Sequence, residues 1–261
     1  MGMRIWHDYT PPRFSQAFSL VELSIVLVIL GLLVGGVLAG QSLIRAAELR
    51  SISTEYSRYV TAMQSFRDKY FAIPGDMTNA TQFWGKDAAL CNAVTDPAGT
   101  PGTCNGNGNG VIAYSGTAGA TAETWQSWKQ LALAGLIEGT YSGAATAAFS
   151  APGTNVPASR LANSDWVLYN ISSVGSASNY AMDWGNALTA SQPSGTLGVL
   201  RPEEAWNIDT KIDDGKPGSG KVTSLFRSNC DTSTSPSDFN GAYALTVTSQ
   251  TACGLRFGNV I

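Results

Sequence analysis

One acid constrains this chain more than any other residue. Glu22 stands in the stretch Ala17-Phe18-Ser19-Leu20-Val21-Glu22, and the next seventeen residues, Leu23 to Ala39, carry no charge and are almost wholly apolar. Counted from Phe18, the segment has about the 20 residues a membrane-spanning helix needs. A carboxylate within such a span costs about 2.5–3.5 kcal/mol on insertion scales. An anchor with no further task would carry Leu or Val there. The charge therefore calls for a partner, which points to assembly with other subunits.

The residues before it give that partner an origin. Residues 1–17 are polar, with Arg4, Arg13, two prolines and no apolar core, and the small residue Ala17 precedes the hydrophobic run. An ordinary secretory signal has the opposite order, with the small-residue cut after the apolar core. A cut between Ala17 and Phe18 would discard the basic leader and keep the helix. It would also create an amino group on Phe18 near the level of Glu22. In a stack of staggered subunits, Glu22 of one chain would pair with the Phe18 amine of the next, each offsetting the desolvation of the other.

Ala17 to Leu30 (AFSLVELSIVLVIL) closely resembles the class III signal of type IV pilins and type II secretion pseudopilins. The resemblance covers about the first fifth of the chain. It implies cleavage by a prepilin peptidase after Ala17, N-methylation of Phe18, and use of Glu22 in assembly. It also implies a place at Gly31 where the helix can soften in a filament. Where the family usually has Gly before the cut, this chain has Ala17, which is also small. Further along, Ile73-Pro74-Gly75-Asp76 and Trp128 to Gly139 are similar to a group of large pilin-like proteins. The partners implied are the peptidase, sibling pilin or pseudopilin subunits, and an inner-membrane assembly platform. The subunit would be single-pass in the inner membrane before assembly, with its head in the periplasm or in a filament.

The organisation expected is a leader over 1–17, a transmembrane and assembly helix over 18–40, an amphipathic half of that helix over 41–73, and a globular head over 74–261. Glycines at 31, 35, 36 and 40 repeat the small-xxx-small spacing that lets helices approach closely, although glycine is common in membrane helices anyway. Leu43, Ala47, Ile52, Tyr56, Tyr59, Met63, Phe66 and Tyr70 recur at steps of three to five. Arg45, Glu48, Glu55, Arg58 and Arg67 fall on other faces, an amphipathic pattern. Ile73-Pro74-Gly75 should break the helix. Unbroken from Phe18 to Tyr70, it would be roughly 80 Å long at 1.5 Å per residue.

In the head, a helix is expected over about Ala122–Ile137, with Trp125, Trp128, Leu131, Ala132 and Leu136 on its buried stripe and Gly139 as its cap. A short helix should open at Pro202-Glu203-Glu204. Strands are expected at Trp166–Ile171, Thr196–Leu200 and Tyr243–Val247. The fold class is α+β and pilin-like: a long N-terminal helix packed on a globular head with antiparallel strands and extra helices.

Composition excludes several functions. The formal charge is −3, and Arg4, Arg13 and Asp8 leave with the leader, which takes it to −4; no clear basic patch is available for nucleic acid. The only histidine, His7, lies in the leader. A mature chain without histidine has no Ser-His-Asp or Cys-His pair and no imidazole metal ligand. No acid pair stands out for carboxylate chemistry either, so the chain reads as a non-enzyme.

Four cysteines in an exported chain read as two disulfides. Three pairings are open, and the sequence-local one, Cys91–Cys104 with Cys230–Cys253, is favoured. Asn105-Gly106-Asn107-Gly108-Asn109-Gly110 opens like a calcium loop, but its oxygens are neutral and its twelfth position is Gly116, so it reads mainly as a turn. Asp209, Asp213 and Asp214 form a candidate calcium site, the only cofactor indicated, and acidic head loops of pseudopilins serve this purpose. A helix end followed by the turn at Asp214-Gly215 accounts for the same acids without a metal. The tryptophans, among them Trp125, Trp128, Trp166, Trp184 and Trp206, could form a carbohydrate platform, but core packing explains Trp125 and Trp128 better. A second function class remains. Val37-Leu38-Ala39 also fits an ordinary signal-peptidase site, and a cut there would release a soluble, disulfide-bonded binding module.

Overall fold

The computed structural model describes residues 19–91, 102–115, 117, 119, 121–146, 150–171, 185–192, 198–225, 229–233, 235, 237–248, 250–258 and 260–261. Ala17, Phe18, Gly116, Trp184 and the first two residues of the strand expected at Thr196 lie outside them. The chain forms two compact units, Met1–Ala46 and Ala47–Ile261.

Helix α1 runs from Leu20 to Tyr70. In the first unit its side chains from Leu20 to Ala39 are all exposed, and none of its apolar window is buried inside the chain. Among the described residues it is the helix long and apolar enough to cross a membrane. Exposure of this many large apolar groups is tolerable only where lipid or other subunits cover them.

In the second unit α1 turns one face inward. Ile52, Tyr59, Ala62, Met63 and Phe66 are buried. The expected stripe begins too early, because Leu43 and Ala47 are exposed. Glu55, expected on an outer face, is buried among them. It accepts hydrogen bonds from Trp166 Nε1 at 2.6 Å, Ser159 Oγ at 2.8 Å and the Arg160 backbone N–H at 2.9 Å. A buried carboxylate is tolerated when it is hydrogen-bonded, and three donors satisfy both oxygens of Glu55. Helix α1 ends with Arg67 and Lys69 in its last turn, which favours the negative helix end. Phe71 beyond it is left-handed and exposed.

The chain then turns at Ile73-Pro74-Gly75. Gly75 has φ +89°, and a Cβ there would lie 2.3 Å from the Glu123 carbonyl oxygen, so only glycine fits. Its N–H donates to Gln130 Oε1 at 2.6 Å. A short helix α2 (Ala80–Trp84), not anticipated from sequence, follows.

Helix α3 spans Glu123–Leu133 and buries Trp125, Trp128 and Leu131 completely. It ends earlier than expected. Gly135, left-handed at φ +73°, closes the helix in place of the expected Gly139, with Gly135 N–H donating to Ala132 O and Leu136 N–H to Leu131 O. That paired closure satisfies the last carbonyls and stops the helix.

Strands β1 (Asp165–Ile171), β2 (Gly185–Ser191), β3 (Val222–Leu225) and β4 (Gly254–Phe257) form one antiparallel sheet in the order β1-β2-β4-β3. Trp166 pairs with Ala190, Leu188 with Phe257, and Phe257 with Val222, which places these apolar side chains on one sheet face. That face meets α1: Tyr56 stacks on Phe257 at 4.4 Å between ring centroids, and Tyr59 meets Trp166 edge-on at 5.7 Å. Tyr59 also packs edge-on against Trp128 of α3 at 5.1 Å. Each fully buried aromatic contributes about 1.5–3 kcal/mol by area alone, so this meeting point holds α1, α3 and the sheet together.

Helix α4 (Pro202–Ile212) starts where expected. Glu204 reaches back to the Arg201 backbone N–H at 2.9 Å and to its guanidinium at 3.0 Å, tying down the first turn. Two expected strands do not form among the described residues. Leu200 makes only a single bridge to Cys253, and Tyr243 only one to Asp231. Beyond Tyr243 the chain turns, with Val247 N–H donating to Ala244 O. The Tyr243 hydroxyl is drawn instead to Asp209 at 2.8 Å. Both sequence-local disulfides are formed, Cys91–Cys104 and Cys230–Cys253.

Candidate functional site

The start of α1 carries a capping arrangement that was not read from the sequence. Ser19 Oγ accepts from the Val21 N–H at 3.2 Å, and Glu22 Oε2 accepts from the Ser19 N–H at 2.9 Å. The Ser-x-x-Glu spacing of residues 19–22 is the signature of this reciprocal cap. It satisfies two of the amide donors that any helix start leaves open. The acid at the helix start also suits the positive end of the dipole. Part of the cost of Glu22 is thus met within its own chain, and its side chain remains exposed.

Gly31, Gly35, Gly36 and Gly40 lie in the same exposed stretch, and a Cβ at any of them would meet nothing within 4 Å. No contact inside the subunit requires glycine there, while each costs about 0.5–1 kcal/mol of helix stability relative to Ala. Ala39 and Gly40, the bond of the alternative cut, lie inside α1.

Two segments of the second unit carry candidate cation ligands, the acids Asp209, Asp213 and Asp214 and the neutral loop over 105–110. Asp209, Asp213 and Asp214 each place an oxygen within 4.8 Å of the others. Their carboxylates are engaged locally. Asp209 accepts from Tyr243 Oη and Gly215 N–H. Asp213 accepts from the Lys221 and Val222 N–H groups. Asp214 accepts from Lys216 N–H and Ser219 Oγ. Burial pushes the Asp209 carboxyl up to about 7, and the neighbouring Asp214 and Asp213 add to that rise against its two hydrogen bonds.

The glycine-asparagine loop faces the other way from a cation cage. Asp76 Oδ1 accepts from Gly108 N–H at 2.6 Å and Asn109 N–H at 3.2 Å, and Oδ2 from Gly110 N–H at 2.7 Å. The loop's backbone donors converge on a carboxylate, and donors repel a cation. Asn107 and Asn109 spend their side-chain oxygens on Asn109 and Val111 N–H groups. Glu123 stands beside Asp76 and takes Asn107 and Ala113 N–H groups at 3.1 and 2.8 Å. Burial raises its carboxyl, Asp76 adds to the rise, and the two N–H groups oppose it. The role of Asp76 was not foreseen, although Asp next to a turn glycine was visible in the sequence. Lys129 and Asp87 form a further pair at 2.6 Å; burial pushes the Asp87 carboxyl up, but the ammonium outweighs it and holds the group below its ordinary value.

Against known proteins, one family matches: residues 12–38 fit the profile described as the prokaryotic N-terminal methylation motif. No curated protein and no solved structure matches the chain. The matched residues include the capped start of α1, Glu22, and most of its exposed apolar stretch. The chain carries a prepilin-type signal for N-terminal processing and methylation, the signal of type IV pilins and pseudopilins.

Proposed function

We propose that this protein is a minor pilin or pseudopilin, a structural subunit of a type IV pilus or type II secretion pseudopilus. It is inserted in the inner membrane through residues 18–40, cut by prepilin peptidase between Ala17 and Phe18, methylated on Phe18, and drawn into a helical fibre by its N-terminal helix. The single observation that carries this reading is the coincidence of the methylation motif at 12–38 with the apolar first half of α1, whose surface is uncovered inside the chain. That surface requires lipid before assembly and neighbouring helices after it. Glycines at 31, 35, 36 and 40 leave room for such neighbours. Its work is then mechanical, and no chemistry on a substrate is asked of it.

The test has two parts. Mass spectrometry of the mature N-terminus, with and without the peptidase, should find a methylated Phe18 only when the peptidase is present. A terminus at Gly40 would replace this reading by a released soluble module. Glu22→Gln keeps a side chain that can still cap the helix start but removes the charge. It should leave processing intact and abolish entry into fibres, whereas normal entry would remove Glu22 from assembly.

A further inference from the structure

A cavity of about 410 Å³ opens beside the start of α3, within the size range of small-molecule sites. Its floor is rigid. Gln126 is buried and held by three hydrogen bonds, accepting from Thr103 Oγ and the Cys104 N–H and donating to the Gly143 carbonyl. Glu123 is 8% exposed. Each of its oxygens takes one backbone N–H and its carboxyl also meets that of Asp76; a carboxylate has about four acceptor positions, so one is left toward a ligand.

The mouth is built differently. Tyr114 is 49% exposed, yet its ring is braced by Trp125 at 5.7 Å and Tyr169 at 5.8 Å between centroids. Exposed Asn107 and Thr121 and half-buried Ser115 complete the polar rim. The result is a flat aromatic plate held in place beside amides, hydroxyls and one buried acceptor.

Charge narrows the ligand. Among the described residues no Lys or Arg lines the cavity, so none of them recognises phosphate or carboxylate. The negative field of Glu123 and Asp76 is offset by backbone N–H groups of residues 107–110 and 113, which converge on them; a cation would meet those dipoles with the wrong sign. What fits is a neutral group with hydroxyls that both donate and accept, and with a C–H face for the ring. We propose that this cavity binds a neutral sugar residue, its C–H face on Tyr114 and its hydroxyls on Glu123, Asn107 and Thr121. The inference does not depend on the assembly reading, because every residue it uses lies in the second unit.

Saturation-transfer NMR on the full mature chain, in a detergent without a sugar headgroup, tests it. Glucose, galactose and N-acetylglucosamine are each supplied at about 10 mM, enough to occupy a site with a Kd on the order of 1 mM. At least one should receive saturation, strongest on its ring C–H protons. Tyr114→Ala should weaken binding about three- to tenfold, the range of one aromatic contact, and Thr121→Val should weaken it as well. Both positions are exposed and hold no backbone group in the structure, so these variants should fold. No transfer to any of the three sugars, or unchanged binding in both variants, overturns the proposal.

Discussion

Replacing Glu55 with alanine should destabilise the second unit by about 3–5 kcal/mol, and the size of the effect can be worked from its three donors. Hydrogen bonds to a charged acceptor contribute about 1.5–3 kcal/mol each but do not add fully. Ser159 is half-buried and Arg160 exposed, so both can turn to water once the carboxylate is gone. Trp166 is fully buried, and its indole N–H would be left without an acceptor, at about 1–3 kcal/mol. Loss of packing around the Glu55 stem adds to this, at about 0.8 kcal/mol per buried methylene. For a unit of this size, each kcal/mol moves Tm by about 2–4 °C, so a fall of about 6–20 °C is expected. Thermal melting of the full chain followed by near-UV circular dichroism, which reports the tryptophans of the core, would measure it. A double-mutant cycle sharpens the attribution: with Trp166→Phe already in place, Glu55→Ala should cost at least about 1 kcal/mol less. A Tm within about 2 °C of the parent for Glu55→Ala, or no coupling in the cycle, would refute the account of how α1 is tied to the sheet.

Four further outcomes follow from the head. Asp76→Asn should cost about 1.5–3 kcal/mol and speed hydrogen exchange at the Gly108, Asn109 and Gly110 amides, because the carboxylate they share is removed. Removing the Cys91–Cys104 disulfide by paired serine substitution should cost about 3 kcal/mol in the chain-entropy model, read as a lower denaturant midpoint. The Asp209 carboxyl is raised in the folded state to about 7 from 3.8; its contribution is therefore fully present below about pH 4 and is lost as pH rises through 7. Tm should fall between pH 5 and 8, and Asp209→Asn should flatten that fall. A calcium ion held by Asp209, Asp213 and Asp214 would raise Tm at pH 8 when about 1 mM calcium is added, and Asp214→Asn should remove the rise; an unchanged Tm takes calcium out of the account.

The elements visible in the sequence are those with strong local causes. The apolar run fixes the first half of α1, Ile73-Pro74-Gly75 fixes its end, proline followed by two acids opens α4, and the aromatic and β-branched run from Trp166 to Ile171 is visible as β1. Strands β2 (GNALTAS) and β4 (GLRF) carry little β-propensity of their own; their neighbours in the sheet impose the conformation. Tyr243–Val247 shows the converse, since its favourable residues close a turn instead, with Leu245 N–H on Tyr243 O and Val247 N–H on Ala244 O. Glu55 was misplaced because a charge on a helix is normally solvated, and its donors lie more than a hundred residues away. At the candidate site, Glu22 was legible as an anomaly. Its bond to Ser19 is also legible as Ser-x-x-Glu, a local signal that stands beside the cost of the acid in lipid.

The cap at the head of α1 has a consequence for maturation. Ser19, Val21 and Glu22, whose atoms close the first turn, all lie downstream of a cut between Ala17 and Phe18. Proteolysis there removes none of the groups that begin the helix. A mature chain beginning at Phe18 would start one residue ahead of its own fastening, so trimming would need no refolding, and a subunit would leave the enzyme with its helix already closed at the new end.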